Sequence, residues 1–470
     1  MNSSADSRPA PAATPPPTGD EHPAPAPETP QDKPRKKDKH LYQIDFVRLV
    51  TFAGVVLDHV ILALATNAEL VAQGVGLLLR YTRYCFFALT GFVLTFQYRN
   101  RELHAPTFWR RRFKLIGLPF VAWSLFYWVY NRWRRGGWGD VEAAFSDMHA
   151  AAMSLKSIAY DLITGHAAYH LYFLSVSMQI YVVFPLILWV LRRTWGYHRY
   201  LLALSGVFHI WLLYHMVRPP LELFADGAPG MLWRYLGITL LPYQFFVLAG
   251  CLAAYHFEAF SAFMKRWRWQ LGAAAVVAIV LTLVYYRDQV LGGEEVFRAT
   301  NVFMVHNAFA FIGIIVLLYI GGTAWQNRRT PGSIPDKLMA KAADRSFGIY
   351  LAHVVAIFAV TPAFLRWNAG VGWRIFVMYL VVCVLTVFLV EVLRLSPISL
   401  ITTGRNRLDW RAQNPAKQLP VAVAAIVVGV LVQVFTGQGI GAFVAGTGLI
   451  LLVGALVVLA KQRSEPLIPA

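Results

Sequence analysis

The chain has 470 residues, of which 57% are hydrophobic and only 14% charged. A soluble globular protein of this size needs more polar surface, so the composition excludes that class and points to a polytopic membrane protein. The formal net charge is +18; its basic residues lie between apolar segments rather than on one compact face, which argues for membrane topology and against nucleic-acid binding.

Residues 1–40 are rich in Pro, Ala and Thr. Such a segment cannot bury a core and is expected to be a disordered tail. It lacks the apolar stretch of a cleaved signal. It ends in KPRKKDKH, a basic cluster that predicts a cytoplasmic N-terminus, with a lipid-surface contact as the alternative. Apolar segments then recur at the length a helix needs to cross a bilayer: 43–64, 76–98, 114–131, 170–191, 199–216, 234–255, 271–287, 301–322, 346–365, 374–395, 419–437 and 440–460. The fold class is therefore all-α, a polytopic transmembrane helix bundle of about twelve crossings. The loops alternate in charge. YRNRELHAPTFWRRRFK, RRTWGYHR, KRWRW, QNRRTPGSIPDKLMAKAADR and GRNRLDWRAQNPAK are basic and fall on the expected cytoplasmic side. TNAELVAQG, LELFADGAPG and RDQVLGGEEVFR are mixed or acidic. The exception is NRWRRGGWGDVEAAFSD, which puts Arg132, Arg134 and Arg135 on the outer side, in the longest outer loop. Long loops translocate despite such charge.

The last two spans carry no ionisable residue and read as plain lipid-facing helices, so the chemistry is expected in the first ten. Cys85, Cys251 and Cys383 have neither disulfide nor metal-ligand spacing. The first span, IDFVRLVTFAGVVLDHV, is the most informative. Arg48 and His59 are separated by about 1100° of helix rotation, three turns plus about 20°, so they share a face about 16 Å apart. Asp45 falls near the same face. Asp58 points about 100° away from His59 and is not expected to orient it. A guanidinium at the mouth of a span binds phosphate well, and a neutral imidazole at depth can act as base or nucleophile. A packing Asp–Arg pair with a hydrogen-bonded core histidine fits the same spacing. His209, His215, His306 and Asn307 occur singly in apolar spans and read as core or helix–helix contacts. His149 and His166 fall in the outer loop and read as solvated surface.

With Asp45, Arg48 and His59 matching the L-D-x-x-R…H pattern and Ile44 in place of its leucine, the chain resembles the membrane-bound acyltransferase-3 family. Further motifs follow in order. YCFFALTGFVLTF is similar to the family's F-F-x-L-S-G-F helix, with Thr90 in place of the usual serine. FWRRRFKLIGLPF matches the basic start of its third helix at Arg110, Arg111 and Lys114, although Pro119 comes two residues late. TGHAAYHLYFLSVSMQIYVVFPLI matches at His170, Tyr181 and Pro185, LPYQFFVLAGCLA resembles its F-x-x-G segment, and RSFGIYLAHVVAIF matches at Ser346, Tyr350, Leu351 and His353. The resemblance covers residues 41–396. The expected organisation is a tail at 1–40, an acyltransferase membrane domain of about ten helices at 41–396, a basic cytoplasmic linker at 397–418, two extra helices at 419–460 and a short cytoplasmic tail at 461–470.

The resemblance implies transfer of an acyl group, commonly acetyl from cytosolic acetyl-CoA as co-substrate, to a hydroxyl of a cell-envelope carbohydrate or a glycosylated or lipid-linked acceptor. No tightly bound cofactor or metal is implied. No room remains for the extracytoplasmic SGNH hydrolase-like domain that some relatives carry, so the acceptor is handled by the membrane domain or by an envelope-biosynthesis partner. His59 is the expected catalytic residue. Arg48 binds donor phosphate or holds the helices together. Arg110, Arg111 and Lys114 bind the donor or report topology. His170, Tyr181, Ser346, Tyr350, His353 and Glu391 are acceptor-binding or structural, with His170 at the outer end of its span, His353 nearer the donor side and Glu391 paired with an arginine. A transporter is the rival reading; the absence of an internal repeat and of matching Gly/Pro-broken spans argues against it. A structural subunit of an envelope-polymer machine is a third, and it gives the Arg48–His59 face no use.

Overall fold

A computed structural model describes residues 40–217 and 227–464. The Pro/Ala-rich tail with its basic cluster, most of the LELFADGAPG loop and residues 465–470 lie outside the described residues. The described residues are overwhelmingly helical and contain no strand, as the apolar pattern predicts. Among the described residues eleven helices are long and apolar enough to cross a membrane, twelve if one sharply bent pair counts as a crossing. With no water in hydrocarbon, only such closed hydrogen-bonding elements can span it.

The centre of the bundle is α1 (Tyr42–Leu64), packed against α3 (Tyr81–Tyr98), α14 (Val305–Arg328), α15 (Ile334–Arg366) and α16 (Val371–Leu395). The second crossing, 70–98, is broken at Arg80 into α2 (Leu70–Leu79) and α3, which brings Arg80 and Arg83 to the end of α1 that carries His59. The third is longer than its apolar stretch predicts. It begins at α4 (Ala105–Arg112), passes through a π-turn at Phe113–Gly117 and continues as α5 (Leu118–Ala143), kinked at Gly136 and Gly137. Much of the expected outer loop is thus helical, because α6 (Met148–Thr164) follows directly. Asp147 caps α6 by accepting from the Ala150 N–H at 2.8 Å.

The expected span 234–255 is corrected to a short α10 (Gln244–Tyr255) that turns through 98° into α11 (Phe257–Arg266). Its close crossing with α3 depends on two glycines: a Cβ at Gly250 would lie 2.0 Å from the Ala88 carbonyl oxygen, and one at Gly91 2.3 Å from that of Val247. Small residues at a crossing let two backbones approach in a membrane. Helix α15 starts twelve residues before its predicted span, capped by Ser333 and carrying Pro335 in its first turn. That extension carries Lys341, Asp344 and Arg345. After α16 the chain turns back as α17 (Ser399–Thr403), whose Ser399 and Thr403 are buried, before the last two helices, α18 (Pro415–Thr436) and α19 (Gly439–Ser464). These two pack chiefly on each other, with α19 also against α15 and α16.

Candidate active site

Three histidines from three separate elements meet at the far end of α1. His59 Nδ1 lies 2.7 Å from His353 Nε2 on α15, and the two rings stack with centroids 5.0 Å apart. His353 Nδ1 lies 2.7 Å from the backbone carbonyl of Tyr350. A carbonyl only accepts, so His353 carries its proton on Nδ1 and presents a lone pair at Nε2. His59 must then donate from Nδ1, which leaves the lone pair of His59 on Nε2. The network, not an observed hydrogen, fixes this tautomer. His353 is fully buried, whereas His59 is partly exposed and lines a cavity of about 460 Å³.

His170 completes the cluster, its ring 5.2 Å from that of His353 and 6.4 Å from that of His59. It stands immediately before α7 (Tyr172–Arg193), on the turn that follows α6. Gly165 makes that turn possible: its φ is +76°, and a Cβ there would lie 2.4 Å from Tyr172 Cα. The Tyr350 hydroxyl donates to the His170 carbonyl, and Tyr127 stacks edge-on against the His170 ring while its own hydroxyl donates to the Leu351 carbonyl at 3.0 Å. The His170 ring is 2% exposed and neither ring nitrogen has a hydrogen-bond partner; the Leu351 backbone nearby does not meet bonding geometry. Among the described residues no group of three or more His, Cys, Asp or Glu is placed to hold a metal ion. His59 and His353 thus form a hydrogen-bonded pair able to hold and move a proton, with the His170 ring packed beside them and its nitrogens unbonded.

The cavity wall adds residues that the motifs did not single out: Asp58, Arg80, Arg83, Tyr169, Tyr172 and Asn301. The loop bearing Asn301 is fastened by Asn307, whose Nδ2 donates to the Asn301 carbonyl at 2.8 Å. Asp58 shares the cavity but makes no hydrogen bond to His59, in agreement with the helix rotation; His353 is the orienting group. The sequence placed His353 nearer the donor side. The structure seats it against His59, because α1 and α15 run side by side and bring positions 59 and 353 level.

The remaining expected residues lie elsewhere. Arg48 pairs with Asp45 at 3.3 Å near the opposite end of α1, about 16 Å of helix rise from His59. The cavity at His59 does not include either of them. Arg110, Arg111 and Lys114 are exposed on α4 and the π-turn. Tyr181 is buried, and its carbonyl accepts from Trp109 Nε1 at 3.0 Å. Ser346 Oγ donates within its own helix, to the Ala343 carbonyl at 2.8 Å. Glu391 pairs with Arg345 at 3.0 Å and Lys341 at 3.3 Å, so it meets the arginine expected of it. Beside it Asp344 bonds Arg345, lies 3.4 Å from Arg394 and lies 3.6 Å from Arg405. This charge network occupies the Arg48 end of the bundle, with Arg405 close enough to Arg48 to repel it.

The amino-acid sequence that builds this bundle matches a known family. The sequence model of an acyltransferase domain covers residues 41–393, most of the chain. No curated protein and no solved structure matches it. The interval begins with α1 and ends in α16, and it takes in every histidine of the cluster and both arginines of the cavity, while α18 and α19 lie beyond it. The chain belongs to the acyltransferase-3 family of membrane acyl-transferring enzymes.

Proposed function

We propose that this enzyme transfers an acyl group, acetyl in the first instance, from cytosolic acyl-CoA to a hydroxyl of a carbohydrate or a glycosylated or lipid-linked acceptor of the cell envelope. Its place is the plasma membrane, with the N-terminus in the cytoplasm. The reading rests above all on one observation: the relay from the Tyr350 carbonyl through His353 to His59 leaves a lone pair on His59 Nε2 beside an open cavity.

In this reading Nε2 takes the proton of the acceptor hydroxyl as its oxygen attacks the thioester carbonyl. The tetrahedral intermediate collapses with loss of the coenzyme A thiolate, and the imidazolium returns its proton to that sulfur. Atoms and charge balance without any metal. His353 holds the ring and stabilises the transient positive charge by accepting from Nδ1–H. The same lone pair serves a covalent route, in which Nε2 attacks first and an acyl-imidazole passes the group on. The basic end of the bundle, with Arg48, Arg110, Arg111 and Lys114, receives the phosphates of the donor. The about 16 Å along α1 between Arg48 and His59 is then the distance that the flexible thioester arm spans.

The test uses purified protein in lipid nanodiscs with labelled acetyl-CoA and extracted envelope glycans. Label enters the glycan with wild type and not with His59→Ala. Label transferred at the wild-type rate by a correctly inserted His59→Ala protein overturns the assignment. An unmodified substrate carried across proteoliposomes indicates a transporter instead.

A further inference from the structure

Two cations in the His59 cavity have no part in the proton transfer just described. Arg80 and Arg83 both line it, together with Asp58. Arg80 Nη1 donates to the Thr300 carbonyl. Arg83 stands with its guanidinium carbon 5.6 Å from the centre of the Tyr172 ring, beside the Tyr243 hydroxyl. Neither makes an ion pair with a carboxylate among the described residues. Several arginines elsewhere in the bundle do, Arg48 with Asp45, Arg99 with Glu258, Arg329 with Asp336, Arg345 with Glu391 and Arg394 with Asp344, while Arg112 bonds Gln97 and Arg407 bonds backbone carbonyls.

With the imidazoles neutral, two arginines and one aspartate leave the cavity with one unmatched positive charge. Such a charge inside a membrane bundle is costly unless a partner faces it. His170 supplies the second observation, because it is 2% exposed, lines the same cavity and leaves both ring nitrogens without partners. At the rim, Leu62 and Phe297 are 60% and 80% exposed and offer an apolar surface.

We propose that Arg83, with Arg80, forms an anion subsite in this cavity, so that the acceptor presenting its hydroxyl to His59 carries a single negative charge nearby, a carboxylate or a phosphodiester. Asp58 sets the limit at one charge, since a dianion meets its carboxylate. His170 hydrogen-bonds the acceptor beside that group. The inference rests on the acyl-transfer reading of the same cavity. Coenzyme A also carries phosphates, so the donor is a second source of the same chemistry, and the test separates the two.

The probes are glucuronate, glucose, dimethyl phosphate and coenzyme A, with binding measured by calorimetry on the full chain in nanodiscs. Glucuronate or dimethyl phosphate binds wild type, and glucose at the same concentration does not. Arg83→Gln weakens binding of the anionic probe about ten- to a hundredfold, the loss of one charge-assisted hydrogen bond. Arg83→Lys keeps most of it. Coenzyme A binds both variants as it binds wild type, which also shows that they are folded. The proposal is overturned if neither anion binds wild type, if glucose binds as well as glucuronate, if Arg83→Gln leaves anion binding unchanged, or if it abolishes coenzyme A binding instead. The same measurement on His59→Ala keeps the two readings apart: anion binding there persists and still falls when Arg83 is also changed to Gln, whatever the fate of catalysis.

Discussion

Helices α1 and α15 run side by side, and their two ends carry polar groups of opposite character. At the Arg48 end the charged side chains answer one another: Asp45 with Arg48, Glu391 with Arg345 and Lys341, Asp344 with Arg345, Arg394 and Arg405. At the other end His59 and His170 line a cavity, with His353 buried behind His59, and there His170 lacks partners and Arg80 and Arg83 lack carboxylate ion pairs. Satisfied networks fix the register of packed helices. Unsatisfied polar groups persist in a folded protein where a substrate completes them. On the proposed function the contrast separates an end that holds the bundle and meets the donor from an end that handles the proton, and mutations at the two ends should fail in different ways.

The largest effect is expected at His59. His59→Ala removes the lone pair and should lower kcat about 10²–10⁴-fold, the usual contribution of a positioned base. Expression and detergent-resistant folding should match wild type, because the ring borders a cavity and is not wedged in the core. Unchanged kcat, measured with labelled donor, would place the chemistry elsewhere.

Next comes His353, which acts through His59. His353→Ala should cost about 10- to 100-fold in kcat with little change in either KM, as the loss of an orienting partner does. A structural role alone predicts no rescue. An orienting role predicts that His353→Gln recovers much of the rate, since the amide oxygen can accept from His59 Nδ1–H where Nε2 did. Equal rates for the Ala and Gln variants would remove His353 from the mechanism.

At the paired end the expected loss is stability rather than rate. Asp344→Asn leaves Arg345, Arg394 and Arg405 without a shared carboxylate, and Arg394 is only 8% exposed. Because Asp344 itself is about one third exposed, the cost is about 1–2 kcal/mol rather than the larger value of a dry pair. A lowered unfolding midpoint with unchanged kcat per folded molecule is the result that sharpens the comparison. A lowered kcat at unchanged midpoint would mean that the network reaches the histidines.

Much of this division was legible in the sequence. Apolar runs gave about twelve spans, eleven of which are long apolar helices in the structure, because hydrocarbon allows only helices at that length, and the rotation between Arg48 and His59 placed them on one face. The sequence hid what depends on tertiary contact. Nothing local to RYTRYCFF says that the helix breaks at Arg80 or that Arg83 turns to a cavity, since a positive residue near a span end has the same appearance as a topological signal. His353 was recognisable as a motif position, but its level beside His59 follows from α15 starting twelve residues early, and polar helix such as PDKLMAKAADR carries no hydropathy signal. Likewise the span at 234–255 has the composition of a straight crossing, whereas the chain bends by 98° just beyond the segment of α10 that packs on α3 at Gly91 and Gly250.

The smallest effect belongs to the exposed cations of the proposed donor end. Arg111 is exposed, and its charge is screened by solvent, so one such contact contributes about 0.2–1 kcal/mol. Arg111→Ala should therefore raise the donor KM by a factor of about 1.4 to 5 and leave kcat and the acceptor KM as they are. Because the interaction is screened, the wild-type donor KM should itself rise with salt, and less steeply in the variant. A donor KM that ignores both the mutation and the salt would leave Arg110, Arg111 and Lys114 with topology as their sole function. Donor recognition would then move to the half-buried Arg48, whose pairing with Asp45 already holds it near the mouth of α1.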